Sequence, residues 1–213
     1  MKVQGIAVAA VGLAALAGAP ALGGYSVVQG PTGPTYAGQQ LNFDEPGGPT
    51  GIVSPDAWLA THGITIQAGD TTPWVDDWAT ITGQPWLGEN NSFFGNFGVF
   101  MTFDTDVTEF AAQFWDPSGP PSPFGGGLYV YLFNDGVQVA PPSEHTPAWG
   151  GIGDTWFDIT ADGGDAFDEI RVLGFGFTPT TYADNLSWNP VPGPGSLALL
   201  GLAGLLGRRR RRA

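Results

Sequence analysis

Leu128-Tyr129-Val130-Tyr131-Leu132-Phe133, then Asn134-Asp135-Gly136, then Val137-Gln138-Val139, is the stretch on which the fold turns. Six consecutive strand formers, apolar on both faces, describe a central strand covered on each side. Asp-Gly between two apolar runs is a hairpin signal, because the favoured two-residue turns need positive φ at their centre. The same grammar repeats along the chain. Gln40-Leu41-Asn42-Phe43-Asp44, Gly63 to Gln67, Gly98 to Phe103 and Val107 to Trp115 come before it; Thr155 to Thr160, Glu169 to Phe177 and Thr181 to Trp188 come after. No window of a dozen residues between them carries a helical period. Short strands separated by turns predict an all-β fold: an antiparallel two-sheet sandwich, with the jelly roll as its preferred form.

Composition agrees. The 34 glycines and 19 prolines make up about a quarter of 213 residues, a level at which disorder is worth weighing. Eight tryptophans and 42% hydrophobic residues decide against it, since a disordered chain lacks such burial potential. The absence of cysteine excludes disulfides, thiolate metal sites and a thiol nucleophile. With only His62 and His145, a multi-histidine metal centre is excluded too.

Charge divides the chain into a middle and two ends. All twenty acidic residues lie between Asp44 and Asp184, where the single basic residue is Arg171; the others are Lys2 and Arg208 to Arg212. Such a body repels phosphate backbones and anionic lipid, so neither nucleic acid nor a lipid surface is its partner. At the N-terminus, Lys2 precedes an apolar run from Ile6 to Ala17 with small residues behind it, the layout of a secretory signal peptide. Pro20 disfavours a cut after Ala19, which places the cut near Ala21 and the leader at residues 1–21. At the C-terminus, Val191-Pro192-Gly193-Pro194 leads into the apolar segment Leu197 to Gly207 and then Arg208-Arg209-Arg210-Arg211-Arg212. From Val191 to Gly207 the length just reaches the lower limit of a membrane helix, roughly 17 residues. The arginine run stays on the cytoplasmic side and leaves the acidic body outside.

That order of Pro-x-Pro motif, apolar segment and arginine cluster over residues 191–213 resembles the PEP-CTERM sorting signal of exported bacterial proteins. Where the family has Val-Pro-Glu-Pro, this chain has Gly193 in place of the glutamate. The resemblance implies an exosortase-type membrane processing enzyme as partner. It further implies transient inner-membrane anchoring, then delivery to the cell surface or extracellular matrix. Residues 22–190 also look like the sandwich body common before that signal. The pieces that carry this likeness include Leu41-Asn42-Phe43-Asp44, Phe93 to Gly98 and Asp184-Asn185-Leu186-Ser187-Trp188; in such bodies an opening Asn-Phe-Asp strand pairs with the closing Asp-Asn-Leu-Ser strand.

Two sets of residues are candidate binding groups. Calcium takes six to eight oxygen ligands, and if first and last strands meet, Asp44 and Glu45 would converge with Asp184 on one oxygen-rich pocket. The bland alternative is solubility residues and Asx turns. Trp74, Trp78 and Trp86 sit among Pro, Gly, Asp and Thr, where indole faces could stack on sugar rings of an exopolysaccharide; core packing is the commoner use of such rings. Enzyme chemistry finds no footing: no Gly-x-Ser-x-Gly elbow, HExxH helix or phosphate loop occurs. Glu144-His145 lies among Pro141, Pro142 and Pro147, which suggests a loop with a lone surface histidine. The sequence therefore describes a non-enzymatic, exported, acidic surface or matrix protein with a structural or adhesive role. A carbohydrate-binding module is the alternative, and a carboxylate-dependent glycan hydrolase the outsider.

Overall fold

The computed structural model describes residues 24–77, 91–115, 126–146, 155–176 and 180–191. The signal-peptide expectation at residues 1–21 and the sorting segment beyond Val191 lie outside them. Among the described residues no helix is long and apolar enough to cross a membrane.

The fold is all-β and antiparallel. Its strands are β1 (Gly24–Gly30), β2 (Gln39–Leu41), β3 (Gly51–Ile52), β4 (Ile64–Ala68), β5 (Trp74–Asp76), β6 (Ser92–Asn96), β7 (Val99–Trp115), β8 (Gly126–Asn134), β9 (Val137–Gln138), β10 (Ser143–His145), β11 (Trp156–Asp162), β12 (Phe167–Gly176) and β13 (Thr180–Pro190). A single helical turn, α1 (Leu59–His62), ends at Gly63 with φ +68°, a left-handed cap that glycine adopts without strain. The expected runs Gly98–Phe103 and Val107–Trp115 are one strand, β7, and this strand organises the molecule. Its first half pairs with β4 on one side and β12 on the other. Its second half pairs with β11 and β13. Between the halves the register with β12 jumps, with Phe167 opposite Val107 but Glu169 opposite Thr102, so Asp104 to Asp106 form the corner at which β7 passes from one layer to the other.

One layer is thus β4, the start of β7, β12 and β8, edged by β9 and β10. The other is β1, β11, the end of β7 and β13, with β2 and β6 both pairing along the far side of β13 and β5 and β3 beyond β6. Period-two alternation sends Val99, Met101, Ile170, Val172, Val130 and Leu132 inward from the first layer, and Phe110, Phe114, Phe157, Ile159 and Leu186 from the second. The layers meet ring to ring: Phe103 packs against Phe110 at 5.9 Å and Trp188 at 5.5 Å, and His145 stands edge-on to Phe157 at 5.0 Å.

Two expectations are corrected here. Leu128–Phe133 is not covered on both sides: Leu128, Val130 and Leu132 are buried, whereas Tyr129, Tyr131 and Phe133 are only half-buried on an open face. His145 is no lone surface residue in a loop. It sits in β10, paired with Leu128 of β8, and burial against the core lowers its pKa.

Candidate functional site

The strand that opens at Gln39 meets the closing strand β13, as expected of the Asn-Phe-Asp and Asp-Asn-Leu-Ser segments, whereas β1, not foreseen, pairs with β11. β2 pairs with β13, Leu41 opposite Leu186 and Gln40 opposite Ser187. On its other side β13 pairs with β7, and there it carries one extra residue: Asp184 lies opposite Gln113 but Ser187 opposite Ala111. The bulge is absorbed at Asn185, whose φ of +52° is a left-handed value that asparagine tolerates better than other side chains. A bulge of this kind re-aims the side chain it carries. Here it places Asn185 in the wall of a cleft, donating from Nδ2 to Gln113 Oε1 (2.7 Å).

That cleft, of about 480 Å3, is lined by Thr35, Gln40, Leu41, Asn42, Glu45, Trp156, Asn185, Leu186 and Ser187. Its size lies within the range of ligand pockets, roughly 300–1,000 Å3. The segment between β1 and β2 closes one side and is held there by polar contacts. Tyr36 N–H donates to Ser187 Oγ (3.0 Å), its hydroxyl donates to Asp158 Oδ1 (2.7 Å), and Gln40 Nε2 donates to the Tyr36 carbonyl (3.2 Å). Burial, then the bond to the Asp158 carboxylate, push the Tyr36 hydroxyl well above its ordinary pKa, so it stays a donor at any physiological pH. Gly33 is required for this closure: a Cβ there would lie 2.6 Å from the Trp156 ring, so the backbone packs on the indole only because no side chain intervenes. Trp156 is half-buried, fixed on one face by the Gly33 segment.

Asp44 and Glu45 lie close enough to act on the Asp184 carboxyl, Glu45 in the cleft wall and Asp184 one residue before Asn185, as the pairing of β2 with β13 brings about. Asp184 is 6% exposed. Burial first, and then the carboxylates of Asp44 and Glu45, raise its carboxyl to about 8 against the partial offset of the Asn185 N–H (2.7 Å). Asp44 Oδ1 accepts from Asn91 N–H (2.8 Å), and Glu45 Oε1 from Asn42 N–H (3.3 Å). Among the described residues no group of three or more His, Cys, Asp or Glu side chains is arranged to hold a metal ion.

Trp74 is placed in β5 rather than in a loop. Its in-register neighbours are Phe94 of β6, Tyr182 of β13 and Trp115 of β7, a row of four rings across four strands. Tyr182 and Trp115 stack at 5.5 Å and 5° and are buried; Trp74 is half-buried, its Nε1 donating to Asp76 Oδ2 (3.3 Å). Trp78 and Trp86 lie outside the described residues, as do Pro192, Gly193, Pro194 and Arg208 to Arg212. Val191 alone of the sorting motif is described, its N–H donating to the Asp106 carbonyl (2.7 Å) beside the β7 corner. The cleft residues missed by sequence reasoning are Thr35, Gln40, Trp156 and Ser187. Asp184-Asn185-Leu186-Ser187 was visible as the closing strand, but nothing local marks Trp156 as its neighbour.

No known family matches the chain, and no curated protein matches it. The solved structure of TmCBM61 in complex with beta-1,4-galactotriose aligns with 60% of this chain and 88% of its own, at 9% identity and a TM-score of 0.30, a likeness that carries no argument here.

Proposed function

We propose that the protein is an exported, acidic, non-enzymatic adhesive component of the cell surface or extracellular matrix that holds polysaccharide in the Trp156 cleft. The observation that carries the reading is the composition of that cleft: an indole beside side-chain amides of Gln40, Asn42 and Asn185, hydroxyls of Thr35 and Ser187, and the Glu45 carboxylate. Sugar rings present an apolar C–H face and a rim of hydroxyls. An aromatic side chain takes the first, and amides and carboxylates accept from or donate to the second. The groups are pre-ordered by the bulge at Asn185 and by the Tyr36 contacts, which lowers the ordering cost of binding. Export and surface delivery rest on the two terminal segments of the sequence, with an exosortase-type enzyme as processing partner.

Affinity electrophoresis through neutral polysaccharides tests the binding reading. The native protein is expected to be retarded by at least one glucan, galactan or mannan, without release of reducing ends. Trp156→Ala should weaken retardation by about tenfold or more, as expected for loss of a central aromatic anchor. Migration unaffected by any neutral glycan, or unaffected by the substitution, rejects the cleft as a saccharide site.

A further inference from the structure

The open face of the first layer carries a second collection of features, remote from the cleft. The rings of Tyr129, Tyr131 and Phe133 on β8 stand half-buried on it. In register with them, β12 presents Glu169 opposite Phe133, Arg171 opposite Tyr131 and Leu173 opposite Tyr129, and β7 presents Phe100 opposite Arg171. Phe175 packs on Tyr129 at 4.7 Å. Arg171 lies at the centre, its guanidinium 4.4 Å from the Phe133 ring and 5.5 Å from the Phe100 ring. It is the only lysine or arginine between residues 3 and 207, and it stands on this face. Glu169 engages its Nε (2.6 Å), while the side chain remains 40% exposed.

The β6–β7 turn stands at one end of this face. Phe97 occupies the second central position of the turn closed by the Gly98 N–H on the Gly95 carbonyl (3.3 Å), with φ +62°, and is 53% exposed. Gly98 follows with φ +116°, where a Cβ would meet the Val172 carbonyl oxygen at 2.7 Å and the Phe100 ring at 3.3 Å. Neighbouring contacts hold the turn: Gly69 N–H donates to the Gly98 carbonyl (3.1 Å), and Asn96 Nδ2 to Asp70 Oδ2 (3.1 Å). A bulky residue in the left-handed region is a true backbone outlier, and asparagine or aspartate would relieve it. An exposed phenyl ring adds a solvation cost at the same position. Phe97 is therefore unfavourable for the folded chain on two independent counts, the pattern of a residue kept for contact with something outside it.

We propose that this face binds an extended polysaccharide bearing carboxylate groups. Phe97 and the ring row give stacking surfaces, and Arg171 receives a uronate carboxylate. The anionic choice follows from charge. Arg171 is paired with Glu169 and stacked on Phe133 and Phe100 yet 40% exposed, which leaves its guanidinium within reach of a ligand carboxylate, its partner in parallel, charge-assisted hydrogen bonds. The surrounding acids then set an unusual salt response. At low ionic strength the body repels a polyanion at long range. Near 0.15 M salt, with a screening length of about 8 Å, that repulsion fades while the short-range contact persists. This site is independent of the Trp156 cleft and stands or falls without it.

The test uses the full chain and polygalacturonate, with fully methyl-esterified polygalacturonate as the neutral counterpart. The native protein should bind the charged polymer more tightly at 150 mM than at 10 mM salt and the esterified polymer about tenfold more weakly, the loss expected for one charge-assisted pair. Arg171→Gln should weaken binding of the charged polymer about as much as esterification does. Phe97→Asn should raise the melting temperature and yet weaken binding, whereas Trp156→Ala leaves this binding unchanged. Equal affinity for both polymers overturns the proposal. So does a Phe97→Asn protein that is stabilised but binds as before. No binding, with a dimer in sedimentation that dissociates on Phe97→Asn, assigns the face to a second copy of the chain instead.

Discussion

Asp184 is the residue whose environment departs furthest from that of its free side chain, and its titration reads out the packing behind the cleft. Its carboxyl is raised from 3.8 to about 8, first by burial and then by Asp44 and Glu45. Between those values the folded chain holds a proton that the unfolded chain has released, so this group makes stability fall as pH rises from about 4 to about 8 and adds no slope above. Asp184→Asn removes that dependence. Thermal melts should show the variant near or below the native protein at pH 4 and above it at pH 8 to 9, by up to several kcal/mol. A gap that does not widen with pH refutes this account. The proximity of Asp44 to Asp184 follows from the pairing of β2 with β13, whose strand-forming runs are legible in the sequence. The burial of Asp184 is not legible there, since it is set by tertiary packing that no local pattern encodes.

Elements show where local reading stops. β8, β11, β12 and β13 are evident as runs of strand formers, and each was found within a few residues of its limits. Gly24–Gly30, Ser92–Asn96 and Ser143–His145 were not, because glycine, serine and nearby proline read as turn residues and only pairing with longer neighbours makes them strands. β7 was read as two strands because Asp104-Thr105-Asp106 resembles a turn; it is a corner within one strand, set by two sheets pulling on the same segment. The short strand β2 depends on a glycine. A Cβ on Gly38 would lie 2.5 Å from the Trp188 carbonyl oxygen and 2.8 Å from Asn189 Oδ1, which itself accepts from the Gly38 N–H (3.0 Å). Gly38→Ala should therefore cost roughly 1–3 kcal/mol, the range of overpacking, with hydrogen-exchange protection lost first at Leu41 and Leu186. Unchanged protection there would show that β2 adjusts freely.

At the scale of the whole molecule, the all-β antiparallel architecture followed from composition and period-two patterning, whereas the location of binding surfaces did not. Trp78 and Trp86 lie outside the described residues and Trp74 is half-buried in β5, while Trp156 stands out only through what the chain folds around it. Export is argued from segments at the two ends, so its test is chemical. Mass spectrometry of the protein from cell, medium and matrix fractions should find a mature N-terminus near residue 22 and a C-terminus within or just before Val191 to Pro194. Intact chain recovered from the cytosol, both ends retained, would reject it.

β13 is the last of the described strands and yet lies in the interior of its layer, hydrogen-bonded to β7 on one side and to β2 and β6 on the other. Until residues 180–190 have left the ribosome, β2 and β6 have no neighbour along that seam, and the second layer stays split. The native state becomes reachable only once that segment has been made. A chain with this wiring keeps its second layer unsealed while residues 24–179 are being made, and so stays pliable over that whole span.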